Sequence, residues 1–253
     1  MDGVAIMSKS KQNDQIMLTW CDNGTVDGKF MEGVTYSILT SKLPITSAQR
    51  VQGNQIGRQR ETAFDTWHKK TDFDWCLWVD SDIVLTNDAL EKVWSSVHVT
   101  DRPIVSGTYF ISKEMEQSVM QPFPALFTAH EEDKYTMRYI HPLPMNELIE
   151  VDYAGFGFLL MHRSVADKMR EFHGDKPLFL ETSDGEDGKF IGEDIQFFMR
   201  MKEAGIKLHA HTGATVKHMK RFAFDLEFYK LYWVTHFAAE AVRSKEEEKG
   251  TES

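Results

Sequence analysis

The chain has 253 residues, enough to bury a sizeable core, and its 42% hydrophobic and 12% aromatic content excludes a disordered chain. A formal net charge of −10 excludes a broad basic surface for nucleic acid, though not a local basic groove. Two cysteines, Cys21 and Cys76, without CxxC spacing suit a reducing compartment and read as buried filler.

The opening "MDGVAIMSKSKQND" has an acidic second residue and no long apolar core, unlike a secretory leader. No stretch approaches the roughly 20 apolar residues of a membrane-spanning helix. The expectation is a soluble, cytoplasmic protein, in which the sequon Asn23-Gly24-Thr25 is coincidental.

"QIMLTWC" (15–21) predicts a first strand, followed by the glycine- and aspartate-rich turn "DNGTVDG". "FMEGVTYSILTSK" (30–42) has helical spacing and "ITSAQRV" (45–51) predicts a second strand. In "NQIGRQRETAFDTWHKK" (54–70), Ile56, Ala63, Phe64 and Trp67 share one helical face. "WCLWV" (75–79) reads as a strand buried on both faces. A helix then starts near Thr86 or Asn87, both good caps, and carries Leu90, Val93, Trp94 and Val97. "RPIVSGTYF" predicts another strand. This alternation predicts a largely parallel sheet with right-handed crossovers.

After residue 110 the rhythm changes. "PALFTAH", "KYTMRYIHPL" and "LIEVDYAGFGFLLMH" read as strands without intervening helices, predicting a mixed or antiparallel insertion. Helices return at "SVADKMREF" and "GEDIQFFMRMKEAG", with Gly205 a natural stop. "IKLHAHTGATVKHMK" predicts strand, turn and strand. The last segment starts as an amphipathic helix and decays into a charged tail. The expected organisation is one domain over 1–220 and a C-terminal helix and tail over 221–253.

The buried strand 75–79 ends in Asp80-Ser81-Asp82. Ligands of open α/β sheets bind beyond the carboxyl ends of strands, and two carboxylates there can hold a hard divalent cation that neutralises phosphate. The plainer reading is a turn cap and a solvated aspartate. Arg60 lies four residues from both Ile56 and Phe64, on the apolar face at the ligand-facing end of its helix, with Arg58 beside it. A cation there suits phosphate or a nucleotide base, or else a buried ion pair with Asp80. Gly155 and Gly157 fall on one face of a predicted strand, where a ligand or backbone passes closely, or at a bulge. Glu193 and Asp194 open a helix behind the loop "TSDGEDGKFIG". They either complement the helix dipole or present a general base.

Four motifs stand in order: "DSD" at 80–82, "VDYAGFGFLLMHRSV", "GED" at 192–194, and the histidine of "TVKHMK". In these the chain, over roughly residues 15–220, resembles GT-A glycosyltransferases that use nucleotide sugars. It is similar to enzymes related to fungal mannosyltransferases and to viral glycosyltransferases. The resemblance implies an α/β fold of GT-A type: a single Rossmann-like domain with a mixed, mostly parallel sheet flanked by helices, plus a small antiparallel insertion. It implies a hexosyl- or pentosyltransferase using a nucleotide-sugar donor, a UDP-sugar foremost, with Mn²⁺ or Mg²⁺. If the source is viral, the location is the host cytoplasm.

The implied roles follow. Asp82 and His218 would be metal ligands, and Asp80 would contact the metal, the ribose or both. Thr19, Cys21 and Asp22 would line the base and ribose pocket. Arg58, Arg60, Ser81, Gly155 and Gly157 would bind the nucleotide sugar. Asp194, or else Glu193, would be the base of an inverting displacement. The acceptor stays open between glycan, protein and modified nucleobase. Two rival readings also stay open: a metal-binding hydrolase built on His209, His211 and His218, and a catalytically inactive nucleotide-sugar binder.

Overall fold

The computed structural model describes residues 14–113, 121–130, 133, 136–183, 190–220, 226 and 228–238. The opening segment to residue 13, residues 184–189 of the expected loop and the charged tail from 239 lie outside the described residues. Contacts divide the chain into two units, residues 1–110 with 124–219 and residues 111–123 with 220–253.

The chain begins with β1 (Ile16–Asp22), α1 (Gly28–Thr40), β2 (Ile45–Gln52), α2 (Ile56–Lys70) and β3 (Trp75–Val79). The short β4 (Ile83–Val84) follows the aspartates, then α3 (Asn87–Ser96) and β5 (Ile104–Thr108). β6 (Phe110–Lys113) pairs with β7 (Gln121–Pro124), and β8 (Leu126–Ala129) with β9 (Met137–Tyr139). Next come β10 (Leu148–Val151), β11 (Tyr153–Ala154), β12 (Phe158–His162) and α4 (Arg163–His173). The antiparallel pair β13 (Thr182–Ser183) and β14 (Phe190–Ile191) leads into α5 (Glu193–Glu203), β15 (Leu208–Thr215) and β16 (Lys217–His218).

Local chemistry sets these boundaries. Asp27 Oδ1 accepts from Lys29 N at 2.7 Å to open α1, and Thr86 Oγ1 accepts from Ala89 N at 3.3 Å to open α3. Gly205, at φ +67°, lies just past α5 in the left-handed conformation that glycine adopts without penalty.

The central sheet has seven strands in the order β10-β15-β5-β12-β3-β1-β2. β2, β1 and β3 run parallel, as do β5 and β15, while β12 runs antiparallel between β3 and β5. β10 is antiparallel at one edge, and β11, β8 and β9 form a separate antiparallel sheet. The expected mixed, mostly parallel sheet with a small antiparallel insertion is what the chain forms.

Two predicted elements differ. "LIEVDYAGFGFLLMH" is three strands, because the chain leaves the central sheet after Val151, pairs β11 with β8, and turns through 155–157 before entering β12. Gly155 and Gly157 therefore lie in a turn and not on one strand face. "LHAHTGAT" is one continuous strand, with a register shift against β5 between Ala210 and Thr215 absorbing the Thr-Gly pair.

The core lies between sheet and helices. Trp67 and Phe64 of α2 are fully buried, and so are Trp75 and Leu77 of β3. Burying each such side chain contributes about 1.5–3 kcal/mol relative to leaving it exposed. In the second unit, residues 228–238 are helical and carry Tyr229, Tyr232, Trp233, His236 and Phe237 in mutual ring contact. No described helix is long and apolar enough to cross a membrane.

Candidate active site

β1, β3 and β5 end at the same edge of the sheet, where such folds place ligands. The turn after β3 is fixed at both sides. Ile83 N donates to the Asp80 carbonyl at 3.0 Å, and Asp80 N donates to the Gly157 carbonyl at 3.0 Å. The antiparallel insertion of β12 thus brings the 155–157 turn against the aspartates.

Arg60 comes from α2, whose apolar face carries it inward; its side chain is 5% exposed. Nη2 donates to both oxygens of Asp80, at 2.9 and 3.1 Å, and Nη1 donates to Glu193 Oε1 at 2.6 Å. The guanidinium also lies over the Phe156 ring, 5.0 Å from its centroid. Burial opposes the positive charge, but Asp80, Glu193 and Asp194 outweigh it and push the Arg60 pKa above its ordinary value. One cation therefore ties α2, the end of β3 and the start of α5 together.

Glu193 and Asp194 occupy the first turn of α5. Burial raises the pKa of both carboxyls above their ordinary values, with the Arg60 charge acting in the opposite direction. Asp194 Oδ1 accepts from Ile195 N at 2.7 Å. Its first-turn position complements the helix dipole, and burial that favours proton uptake suits a general base. The geometry permits both readings together.

The two glycines of the turn have a specific reason to be glycine. A Cβ on Gly155 would meet Tyr109 Oη at 1.9 Å, and one on Gly157 would meet Asp80 Oδ2 at 3.0 Å. The room they leave is filled by the buried Tyr109, whose hydroxyl accepts from Gly157 N at 3.2 Å. Burial, with Asp80 and Asp194 nearby, pushes the Tyr109 pKa far up and keeps the phenol neutral.

Asp82 meets His218 through strand pairing. β16 runs antiparallel to β4 with His218 opposite Ile83, and Met219 N donates to the Asp82 carbonyl at 2.7 Å. His218 Nε2 lies 3.1 Å from Asp82 Oδ2, and Nδ1 lies 2.9 Å from the Phe110 carbonyl. Both partners are acceptors. Each ring nitrogen therefore faces an oxygen lone pair, an arrangement into which a metal cation would fit between Nε2 and the carboxylate. An imidazole nitrogen oriented by a backbone carbonyl, beside a carboxylate, is donor chemistry that Mn²⁺ accepts. Among the described residues, no three His, Cys, Asp or Glu side chains gather as a complete metal centre, so this pair offers two donors.

The other candidate residues are placed as follows. Thr19 is fully buried in β1, where its Oγ1 accepts from Cys76 Sγ at 3.3 Å. Cys21 is buried, and burial pushes its thiol up to about 12. Asp22 is held by Arg50, through Nε at 2.6 Å and Nη2 at 2.7 Å, and by Gly24 N and Trp20 Nε1. Arg50, before the opposing effect of burial, holds the Asp22 carboxyl below the usual carboxylate range. Arg58 is exposed on the first turn of α2, and Ser81 is half-buried in the aspartate turn. His209 and His211 lie on β15 opposite Glu150 and Leu148 of β10, and burial lowers both pKa values.

Three contributors escaped sequence reading: Tyr109, Phe156 and Arg50. The first two carry a faint signal, an aromatic residue just past a strand end ("GTYF") and another between two glycines ("GFG"). Arg50 carries none, since its partner is set by the register of β2 on β1.

No family model and no curated protein sequence matches the chain. Among solved structures, A197 from STIV matches with a TM-score of 0.53 and 18% identity, over 82% of this chain and 86% of that one. GalNAc-T7 with UDP, GalNAc and Mn²⁺ matches with a TM-score of 0.55 and 8% identity, over 84% of this chain. This chain spans 45% of the length of GalNAc-T7. Identities this low speak for architecture alone: the protein has the GT-A glycosyltransferase fold.

Proposed function

We infer that the protein is a metal-dependent glycosyltransferase moving a hexose or pentose from a nucleotide-diphosphate sugar, a UDP-sugar foremost, to an acceptor hydroxyl with inversion. The observation that carries this is the meeting, at one sheet edge, of the Asp82–His218 pair with the Arg60–Asp80–Glu193 cluster and Asp194. The likeness to a structure holding UDP, GalNAc and Mn²⁺ supports it. Asp82 and His218 would hold the ion, and the imidazole donor favours Mn²⁺ over the oxygen-seeking Mg²⁺. When bound, the ion supplies positive charge to the diphosphate leaving group.

The chain's own residues do the rest. Arg60 fixes Asp80 and Glu193, leaving Asp194 as the carboxylate for proton transfer. The acceptor oxygen forms a bond to the anomeric carbon as the bond from that carbon to the phosphate oxygen breaks, and Asp194 takes the hydroxyl proton. Asp22, set by Arg50 and Trp20, would border the base and ribose pocket, with Thr19 and Cys21 behind it. Ser81 and the 155–157 turn would close the donor side, and the exposed Arg58 would reach the donor from solvent.

The test measures transfer or hydrolysis from a panel of UDP-sugars with Mn²⁺, with chelator, and in Asp194→Asn and Glu193→Gln. The expectation is metal-dependent turnover that falls roughly 10²–10⁴-fold in Asp194→Asn with UDP binding retained. Full activity in chelator, or near-normal turnover in both variants, refutes the assignment.

A further inference from the structure

His218 of the aspartate–histidine pair also lines a cleft of about 600 Å³. Its walls come from the start of α3, the residue after Tyr109, and the segment joining β15 to β16. Phe110, 41% exposed, is the large apolar side chain of its lining. Thr86 and Thr215 bring hydroxyls, Lys217 brings a positive charge, and Asp88 is already paired with Lys92 Nζ at 2.7 Å. Thr86 Oγ1 already accepts from Ala89 N, which leaves its hydroxyl proton available to an acceptor.

This combination is selective. An exposed aromatic ring beside hydroxyl and ammonium groups fits a ligand with one apolar face and a rim of hydroxyls. A pyranose has that form: its ring C–H bonds face one way and its hydroxyls radiate outward. A polyphosphate or nucleic-acid backbone is disfavoured, because Lys217 is the one lysine or arginine lining the cleft among the described residues and the whole chain carries −10. The cleft also has the right neighbour. His218 lines it while facing Asp82, and the Tyr109 ring packs edge-on against His218 at 5.1 Å. Tyr109 in turn reaches Gly157 and lies beside Asp80.

Resting on the transferase reading above, we propose that this cleft is the acceptor subsite and that the acceptor is a saccharide, stacked on Phe110 and hydrogen-bonded by Thr86, Thr215 and Lys217. The acceptor class is thereby a glycan in preference to a nucleobase.

The test uses the full chain and a panel of methyl α- and β-glycosides, followed by saturation-transfer difference NMR at millimolar concentration. A parallel panel of 2′-deoxynucleosides and a UDP titration with Mn²⁺ run beside it. At least one glycoside should bind, with the strongest transfer to its ring C–H protons. Its affinity should fall about tenfold in Phe110→Ala, and severalfold in Lys217→Met, which alters only an exposed side chain. The proposal is overturned if no glycoside binds the wild type, if binding survives both substitutions, or if only deoxynucleosides bind. Absence of UDP binding would instead refute the donor reading, and the glycoside result would still decide what the cleft holds.

Discussion

Replacing Arg60 by methionine keeps the length of the stem over Phe156 and removes the charge. In the native protein that charge makes three charge-assisted hydrogen bonds, at 2.6, 2.9 and 3.1 Å, to Glu193 and Asp80. Removing one partner of a buried ion pair typically costs about 3–5 kcal/mol, since the carboxylates left behind stay desolvated. Asp80 is 30% exposed and can rehydrate in part, so the lower end applies, about 3 kcal/mol. For a chain of this size that is a fall of roughly 6–12 °C in Tm.

The loss should depend on pH, with a definite sign. The Arg60 charge lowers the Glu193 and Asp194 pKa values, which burial already raises above 4.5 and 3.8. Without it they rise further. The native state then binds protons in a range where the unfolded chain has released them, so stability falls as pH rises through the raised values and recovers on acidification. Urea unfolding at pH 7.5 and 5.0, followed by tryptophan fluorescence, reads both effects. A variant as stable as wild type at both pH values, deficient only in UDP binding, would refute the ion-pair reasoning and assign the guanidinium to phosphate. A deficit equal at both pH values would refute the electrostatic account.

Gly155→Ala places a methyl group 1.9 Å from Tyr109 Oη and should destabilise by about 1–3 kcal/mol, with Tyr109→Phe in the same chain restoring part of it; equal Tm values for Gly155→Ala and wild type would refute the packing. Arg50→Ala should destabilise at neutral pH, and the difference from wild type should shrink as pH drops below 3.8, because Asp22 is a lowered carboxyl whose stabilisation is lost as it protonates. Denaturation at pH 7 and 3 checks this, and an undiminished difference at pH 3 would count against it. His218→Ala should weaken Mn²⁺ binding and Asp82→Asn should abolish metal-dependent turnover, as followed by Mn²⁺ titration; unchanged titrations remove both residues from the site. The acidic limb of the transfer rate should lie above 3.8, because Asp194 must be ionised to accept a proton and burial holds its pKa up. A limb at or below 3.8 would exclude Asp194 as the base.

Period and punctuation alone determined much of this molecule. The five apolar residues from Trp75 to Val79 read as a strand covered on both faces, and the Thr86 cap and Gly205 stop fix their helices through bonds made within a few residues. Asp80 and Asp82 were legible because a charge at the end of such a strand conflicts with its burial. Contacts between residues distant in sequence were decided by the tertiary structure. The antiparallel entry of β12 between β3 and β5 turns "GFG" from a strand face into a turn holding Tyr109, and local spacing carries no record of that pairing. His218 faces Asp82 because β16 finds β4, a two-residue ladder too short to leave a periodic signal. Arg60 could be placed on the inner face of its helix from spacing. Asp80 was nameable as its partner from the strand end, but the second carboxylate, Glu193 at 133 residues away, depended on where the sheet delivers α5.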